Sequence, residues 1–206
     1  MVVSELFARI LPRLKYMPPS ISFVDATQSV SDCITRRLWE NRSDLLKTVW
    51  VSDTHAIGED EVSLPTTFLG RNGDEDPFLT YTSGGSTLTT TPRPLSRDRS
   101  YYVTAEDSIP GEYEIRGSVL YLYPPSTVAF TLTMPIYSRP EVIETVDDDL
   151  PWNGHFDQLF QDSVLHLAGP EGISAMVSPI LEQAILRAVD TGASLRTGRK
   201  VRWLWA

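Results

Sequence analysis

The stretch Tyr113-Glu114-Ile115-Arg116-Gly117-Ser118-Val119-Leu120-Tyr121-Leu122-Tyr123-Pro124-Pro125 decides how the rest of the chain is read. Two runs rich in β-branched and aromatic residues meet at Arg116-Gly117, where glycine supplies a turn, and two prolines end the second run; this predicts a β-hairpin. Phe130-Thr131-Leu132-Thr133-Met134-Pro135-Ile136-Tyr137 then alternates apolar and other residues as a last strand. An acidic spacer, 144–149, follows, and Leu150-Pro151-Trp152 opens a helix with Phe156, Leu159, Phe160, Val164 and Leu167 on one face and a stop at Gly169-Pro170.

Upstream, period two and β-branched residues prevail from about residue 46. Candidate strands are 48–51, 62–69, 78–82, 100–104, 113–116, 118–123 and 128–136. Turn signals separate them at Arg71-Asn72-Gly73-Asp74, Ser83-Gly84-Gly85-Ser86, Ile109-Pro110-Gly111 and Arg116-Gly117. Residues 87–99, with little apolar content, are expected to form an exposed loop.

Helical spacing marks both ends of the chain. Leu6, Phe7, Ile10, Leu11 and Leu14 follow Ser4, a candidate N-cap, with Pro12 set to end that helix early. After Pro18-Pro19, Ser22 and Asp25 resemble a shortened capping box, and Phe23, Ala26, Val30, Cys33, Ile34 and Leu38 form an apolar stripe ending near 39–42. Near the C-terminus Ile173, Met176, Val177, Ile180, Leu181, Ala184, Ile185, Ala188 and Val189 keep helical spacing, with Ser178-Pro179 as N-cap and first turn of the main helix. Ile180, Ala184 and Ile185 are expected to pack on Phe160, Val30 and Ile34. The fold class is therefore α+β: a helical bundle from N- and C-terminal helices with an inserted antiparallel β sandwich or barrel-like region. The segments are 1–45 and 141–194 for the bundle, 46–140 for the β domain, and 195–206 for a basic tail.

A net charge of -9 argues against general nucleic-acid binding. No apolar run approaches the roughly 18 residues of a membrane span. Residues 1–15 lack the layout of a secretory signal, so folding in a cytosol is expected, with the single Cys33 a reduced, buried thiol.

Several patterns invite a catalytic or ligand reading, and each has a plainer one. Asp190-Thr191-Gly192-Ala193 matches an aspartic-protease loop, but helical spacing precedes it and only 13 residues follow, which favours a helix end. Asp147-Asp148-Asp149 offers oxygen ligands for a hard cation without the spacing of a calcium loop; acids placed favourably at a helix dipole are the alternative. His155 and Asp157 lack a nucleophile motif, His166 reads as a surface histidine, and Ser83-Gly84-Gly85-Ser86 lacks the rest of a phosphate loop.

The tail, Leu195-Arg196-Thr197-Gly198-Arg199-Lys200-Val201-Arg202-Trp203-Leu204-Trp205-Ala206, carries four basic side chains and no acid. Arg and Trp are enriched at binding hot spots, and an alternating segment suits strand addition or insertion into a cleft. Candidate docking residues are Arg196, Arg199, Lys200, Arg202, Trp203, Leu204 and Trp205. Folding back onto the chain's own helices and contact with nucleic acid are the alternatives.

The order Tyr-x-Ile-x-Gly-x-Val-Leu-x-Leu-x-Pro-Pro, the 130–137 strand, then Leu-Pro and a helix resembles the head-to-tail adaptor proteins of tailed bacteriophages, well over the last 100 residues and loosely over the first 60. That resemblance implies a virion protein of the neck or tail, assembled in the host cytoplasm. It implies a homo-oligomeric ring of about twelve copies beneath the portal, lining the channel for passing genomic DNA and receiving the next tail or nozzle protein. No enzyme activity, cofactor, metal or membrane contact is then expected. A carbohydrate-binding β module of a virion or tail protein is the alternative, and would need an exposed aromatic platform. A hydrolase would need two carboxylates about 5 to 10 Å apart in one cleft.

Overall fold

The computed structural model describes residues 1–14, 23–73, 75–95, 109–152, 154–167, 177 and 179–196. The chain has both helices and mainly antiparallel sheets, an α+β protein, and divides into two compact units: Met1–Leu46 with Pro140–Ala206, and Lys47–Arg139.

The first unit is helical. Helix α1 (Val3–Ile10) buries Val3, Leu6 and Ile10 and gives way at Leu11–Arg13 to a 3-10 turn, because Pro12 has no N–H to continue the ladder. Helix α2 (Phe23–Glu40) buries a stripe that includes Phe23, Ala26, Val30, Cys33, Ile34 and Leu38. Helix α3 (Asp157–Leu167) contributes Phe160, Val164 and Leu167, and helix α4 (Pro179–Arg196) contributes Leu181, Ile185 and Val189. Helix α2 packs on α3 and α4, and α1 on α2 and α3. Burial pushes the Cys33 thiol pKa up, keeping it protonated and inert.

Three local expectations need correction. Ser4 does not cap α1: the helix starts two residues earlier than that cap implies, at Val3, and Val2 in the cap position makes no side-chain bond. Instead Val3 N–H donates to the Asp148 carbonyl at 2.9 Å and Ser4 N–H to the Val146 carbonyl at 2.7 Å. The acidic spacer thus serves α1 through its backbone rather than α3 through its charge, since α3 begins only at Asp157 and a helix dipole acts within about one turn. The third concerns α4: Ile180 is 83% exposed and Ala184 is exposed, while Leu181, Ile185 and Val189 are buried. A single face at i, i+4 and i+8 meets the core, so half of the apolar list points elsewhere.

The second unit is β. Strand β1 (Lys47–His55) is followed by β2 (Glu61–Ser63), β3 (Phe68–Arg71), β4 (Phe78–Ser83) and β5 (Ser86–Thr90). Then come β6 (Arg93–Pro94), β7 (Glu112–Arg116), β8 (Val119–Tyr123) and β9 (Phe130–Ser138). One sheet runs β1-β9-β4-β5 with β3 also on β9; the other runs β2-β8-β7-β6. Pairing among these strands is antiparallel except for β6 with β7, which is parallel and departs from the expected all-antiparallel insertion.

The two sheets share one apolar core. Phe130, Leu132, Met134 and Ile136 of β9 join Leu79 of β4 and Val62, Leu64, Tyr113, Leu120 and Leu122 from the second sheet and its edge. Pro135 stands in this central strand where pairing with β4 has ended at Thr133 and pairing with β3 begins at Ile136, a gap that accommodates a residue without N–H.

The expected strand 62–69 is two strands in different sheets, because Pro65 breaks the ladder between them: β2 pairs with β8 and β3 with β9. The expected loop 87–99 begins as β5, which forms a hairpin with β4 across Gly84 and Gly85, both at positive φ (58° and 79°), the geometry a two-residue turn requires. A threonine-rich exposed strand has little apolar signal, but its β-branched side chains suit a pleated sheet. The candidate strand 100–104, the Ser22 cap, Ser178, Ile173 and Met176 lie outside the described residues.

Replacing fully buried Ile185 with aspartate is expected to destabilise the fold by about 3 kcal/mol or more, because a charge would be left unpaired among apolar neighbours. Ile180→Asp, on the exposed side of the same helix, should change stability by less than about 0.5 kcal/mol, and paired thermal melts check both.

Candidate functional site

Of the residues singled out for docking, Arg196 is the last residue of α4, and Arg199, Lys200, Arg202, Trp203, Leu204 and Trp205 lie outside the described residues. The described geometry directs attention to a seam in the β unit that no sequence motif marks.

Strands β1 and β2 are consecutive, yet they end different sheets and do not pair with each other. Between them lies a cleft of about 870 Å³, lined by 50–55 of β1 and by Gly58, Glu59, Asp60, Glu61, Ser63 and Pro65. Asp53, Glu59, Asp60 and Glu61 give it four carboxylates, and neither lysine nor arginine lines it.

Local chemistry shapes this seam. Opposite Leu132, β1 carries two residues, Ser52 and Asp53, where the register shifts between Val51 and Thr54. The Ser52 hydroxyl accepts the Leu132 N–H at 3.0 Å, so the ladder stays satisfied through the bulge. At the end of β1, the His55 ring stacks on Phe130 with centroids 5.1 Å apart, and its Nδ1 lies 3.1 Å from Glu59 Oε2. The same oxygen accepts the Ala56 N–H at 2.9 Å, and Gly58, at φ 86°, donates its N–H to the Ser126 carbonyl at 2.8 Å. The connection is thereby pinned, and it holds β2 away from the β1 edge. The chemistry on offer is recognition: negative charge, two strand edges and an apolar rim.

The other candidates have structural partners. Asp190 lies inside α4, and its carboxylate accepts from Arg37 Nε at 2.9 Å, Arg37 Nη2 at 2.8 Å and Asn41 Nδ2 at 3.2 Å. This bidentate pair ties α2 to α4, and the hydrogen bonds from Arg37 hold the Asp190 carboxyl below the usual carboxylate range. Asp148 accepts the Thr145 and Glu144 N–H groups at 2.8 Å each, and these bonds lower its pKa as well. Ser83-Gly84-Gly85-Ser86 is the β4–β5 turn, and His155 and His166 are exposed. Among the described residues no group of three or more His, Cys, Asp or Glu is arranged to hold a metal ion, and no helix is long and apolar enough to cross a membrane. Tyr113, Tyr123, Phe130 and Tyr137 of the β unit are buried, which commits these rings to packing.

The Arg37–Asp190 pair predicts a pH signature. Because the folded-state pKa of Asp190 is depressed, its contribution is full above the ordinary value of 3.8 and is lost as pH falls through the lowered folded value. Asp190→Asn should therefore melt lower than the wild type at neutral pH, by about 1 kcal/mol after solvent screening, with the difference closing in strong acid. Melts from neutral to about pH 2 measure this, and a gap that widens in acid contradicts the assignment.

Sequence reasoning missed Asp53, His55, Asp60 and Glu61 as a group because they are scattered over two strands and a connection. The run Glu59-Asp60-Glu61 beside Gly58 was the available signal. Among known proteins, no family model matches the chain and no curated protein matches it.

Proposed function

We propose that the chain is a virion structural protein, a head-to-tail adaptor of a tailed bacteriophage. About twelve copies form a ring between the portal and the next tail or nozzle protein and line the channel for passing DNA. In this reading the helices from the two chain ends make a bundle that closes the ring, and the β unit is a sandwich or barrel-like insertion between them in sequence. The basic tail reaches the portal or a neighbouring copy.

One observation carries the reading: both chain ends belong to a single helical unit, interrupted between Leu46 and Pro140 by a self-contained two-sheet unit. Such an arrangement suits an adaptor, because one helical unit can serve ring closure while the inserted unit is left to meet other components. The net charge of -9 fits it too, since an acidic wall lets DNA slide without adhering and opposes self-association away from a template.

Sedimentation at micromolar concentration is expected to give a monomer for the isolated protein and a ring once portal is added. A stable free ring removes the templating idea, whereas failure to join the portal removes the adaptor reading. Truncation after Arg196 should leave the melting temperature of the folded units within about 2 °C while abolishing incorporation into portal-bound particles.

A further inference from the structure

We infer that the seam between β1 and β2 is a strand-receiving groove whose occupant is the C-terminal segment 199–206 of a neighbouring copy. The inference rests on the adaptor reading, because it names what the tail grips when copies stand side by side.

The groove is bordered by two strand edges. In the described residues β1 pairs only with β9 and β2 only with β8, so each presents an unpaired edge, and the 870 Å³ cleft lies between those edges. On β1, Val49 is 62% and Val51 56% exposed, an apolar surface on an open edge strand. Such an edge invites pairing by any extended chain unless charge screens it. Here the screen has one sign: Asp53 stands at the bulge, and Glu59, Asp60 and Glu61 line the opposite bank. Two copies of this edge therefore repel each other, while a cationic strand is admitted.

The chain carries a segment of that chemistry. Extended, Lys200-Val201-Arg202-Trp203-Leu204-Trp205 places Val201, Trp203 and Trp205 on one face and Lys200, Arg202 and Leu204 on the other. Its six residues match the six of β1 that line the cleft. The apolar face lies beside Val49 and Val51, which share the exposed face of β1, the cations reach Asp53 and Glu61, and backbone pairing with the β1 edge supplies strand addition. A single short strand of this kind buries far less than a standard interface and binds weakly. It therefore leaves free copies apart, and it is filled where a ring raises the local concentration to the order of millimolar.

The test is fluorescence anisotropy with a labelled peptide of residues 195–206 and three full-length proteins: wild type, Trp203→Ala/Trp205→Ala, and Asp53→Asn/Asp60→Asn/Glu61→Gln. Glu59 is left alone because it pins His55 and Ala56. The expected result is equal binding to the first two and at least ten-fold weaker binding to the third at an unchanged melting temperature, with weakening as salt rises to about 0.5 M. No binding, or undiminished binding to the neutralised protein, overturns the groove. Binding to wild type that is ten-fold weaker than to Trp203→Ala/Trp205→Ala means that each copy fills its own groove, which overturns the exchange between copies. The assay contains no portal, so its failure leaves the adaptor reading standing, and failure to join the portal leaves the groove standing.

Discussion

Burial of one face of β9 is the constraint on which the β unit depends. Phe130, Leu132, Met134 and Ile136 are each at most 2% exposed, and burial of such side chains contributes about 1.5–3 kcal/mol apiece. The same strand pairs with β1 along one edge and with β4 and β3 along the other, so its backbone organises the first sheet while its side chains join the second. With period two, a slip of one residue would move all four to the opposite face, away from the second sheet, which locks the register of every neighbour.

The helical unit is held differently. Its two halves are far apart in sequence, and polar contacts between them fix alignment while apolar stripes supply the stability. The first amides of α1 are satisfied by the carbonyls of Val146 and Asp148, and Arg37 of α2 grips Asp190 of α4 across 153 positions of sequence. Both devices join residues before the β insertion to residues after it. The helical unit is therefore complete only when its two halves meet, whatever the β unit does.

The seam between β1 and β2 follows from the same architecture. A bulge at Ser52 and Asp53, a pinned connection at His55 and Glu59, and Pro65 beyond β2 send consecutive strands into separate sheets. Among the described residues their edges stay unpaired, and carboxylates along both banks offset the hazard of an open edge. Acidity spread over the whole sequence thus acquires a local meaning at this cleft.

The α+β class, the amphipathic helix 23–40, the early end of α1 at Pro12 and the hairpin around Gly117 were legible in the sequence, because each depends on near-neighbour periodicity or on a residue that alone permits or forbids a backbone shape. So were the basic character of the tail and its alternation of tryptophan with leucine. What only the tertiary structure decided is which of two helical faces is buried, as with Ile185 and Ile180. It also decided that 62–69 is shared between two sheets, that the acidic spacer caps the first helix, and that four scattered carboxylates face one cleft. These depend on contacts between residues far apart in the chain, whose energies arise only once distant surfaces meet and which no local pattern encodes.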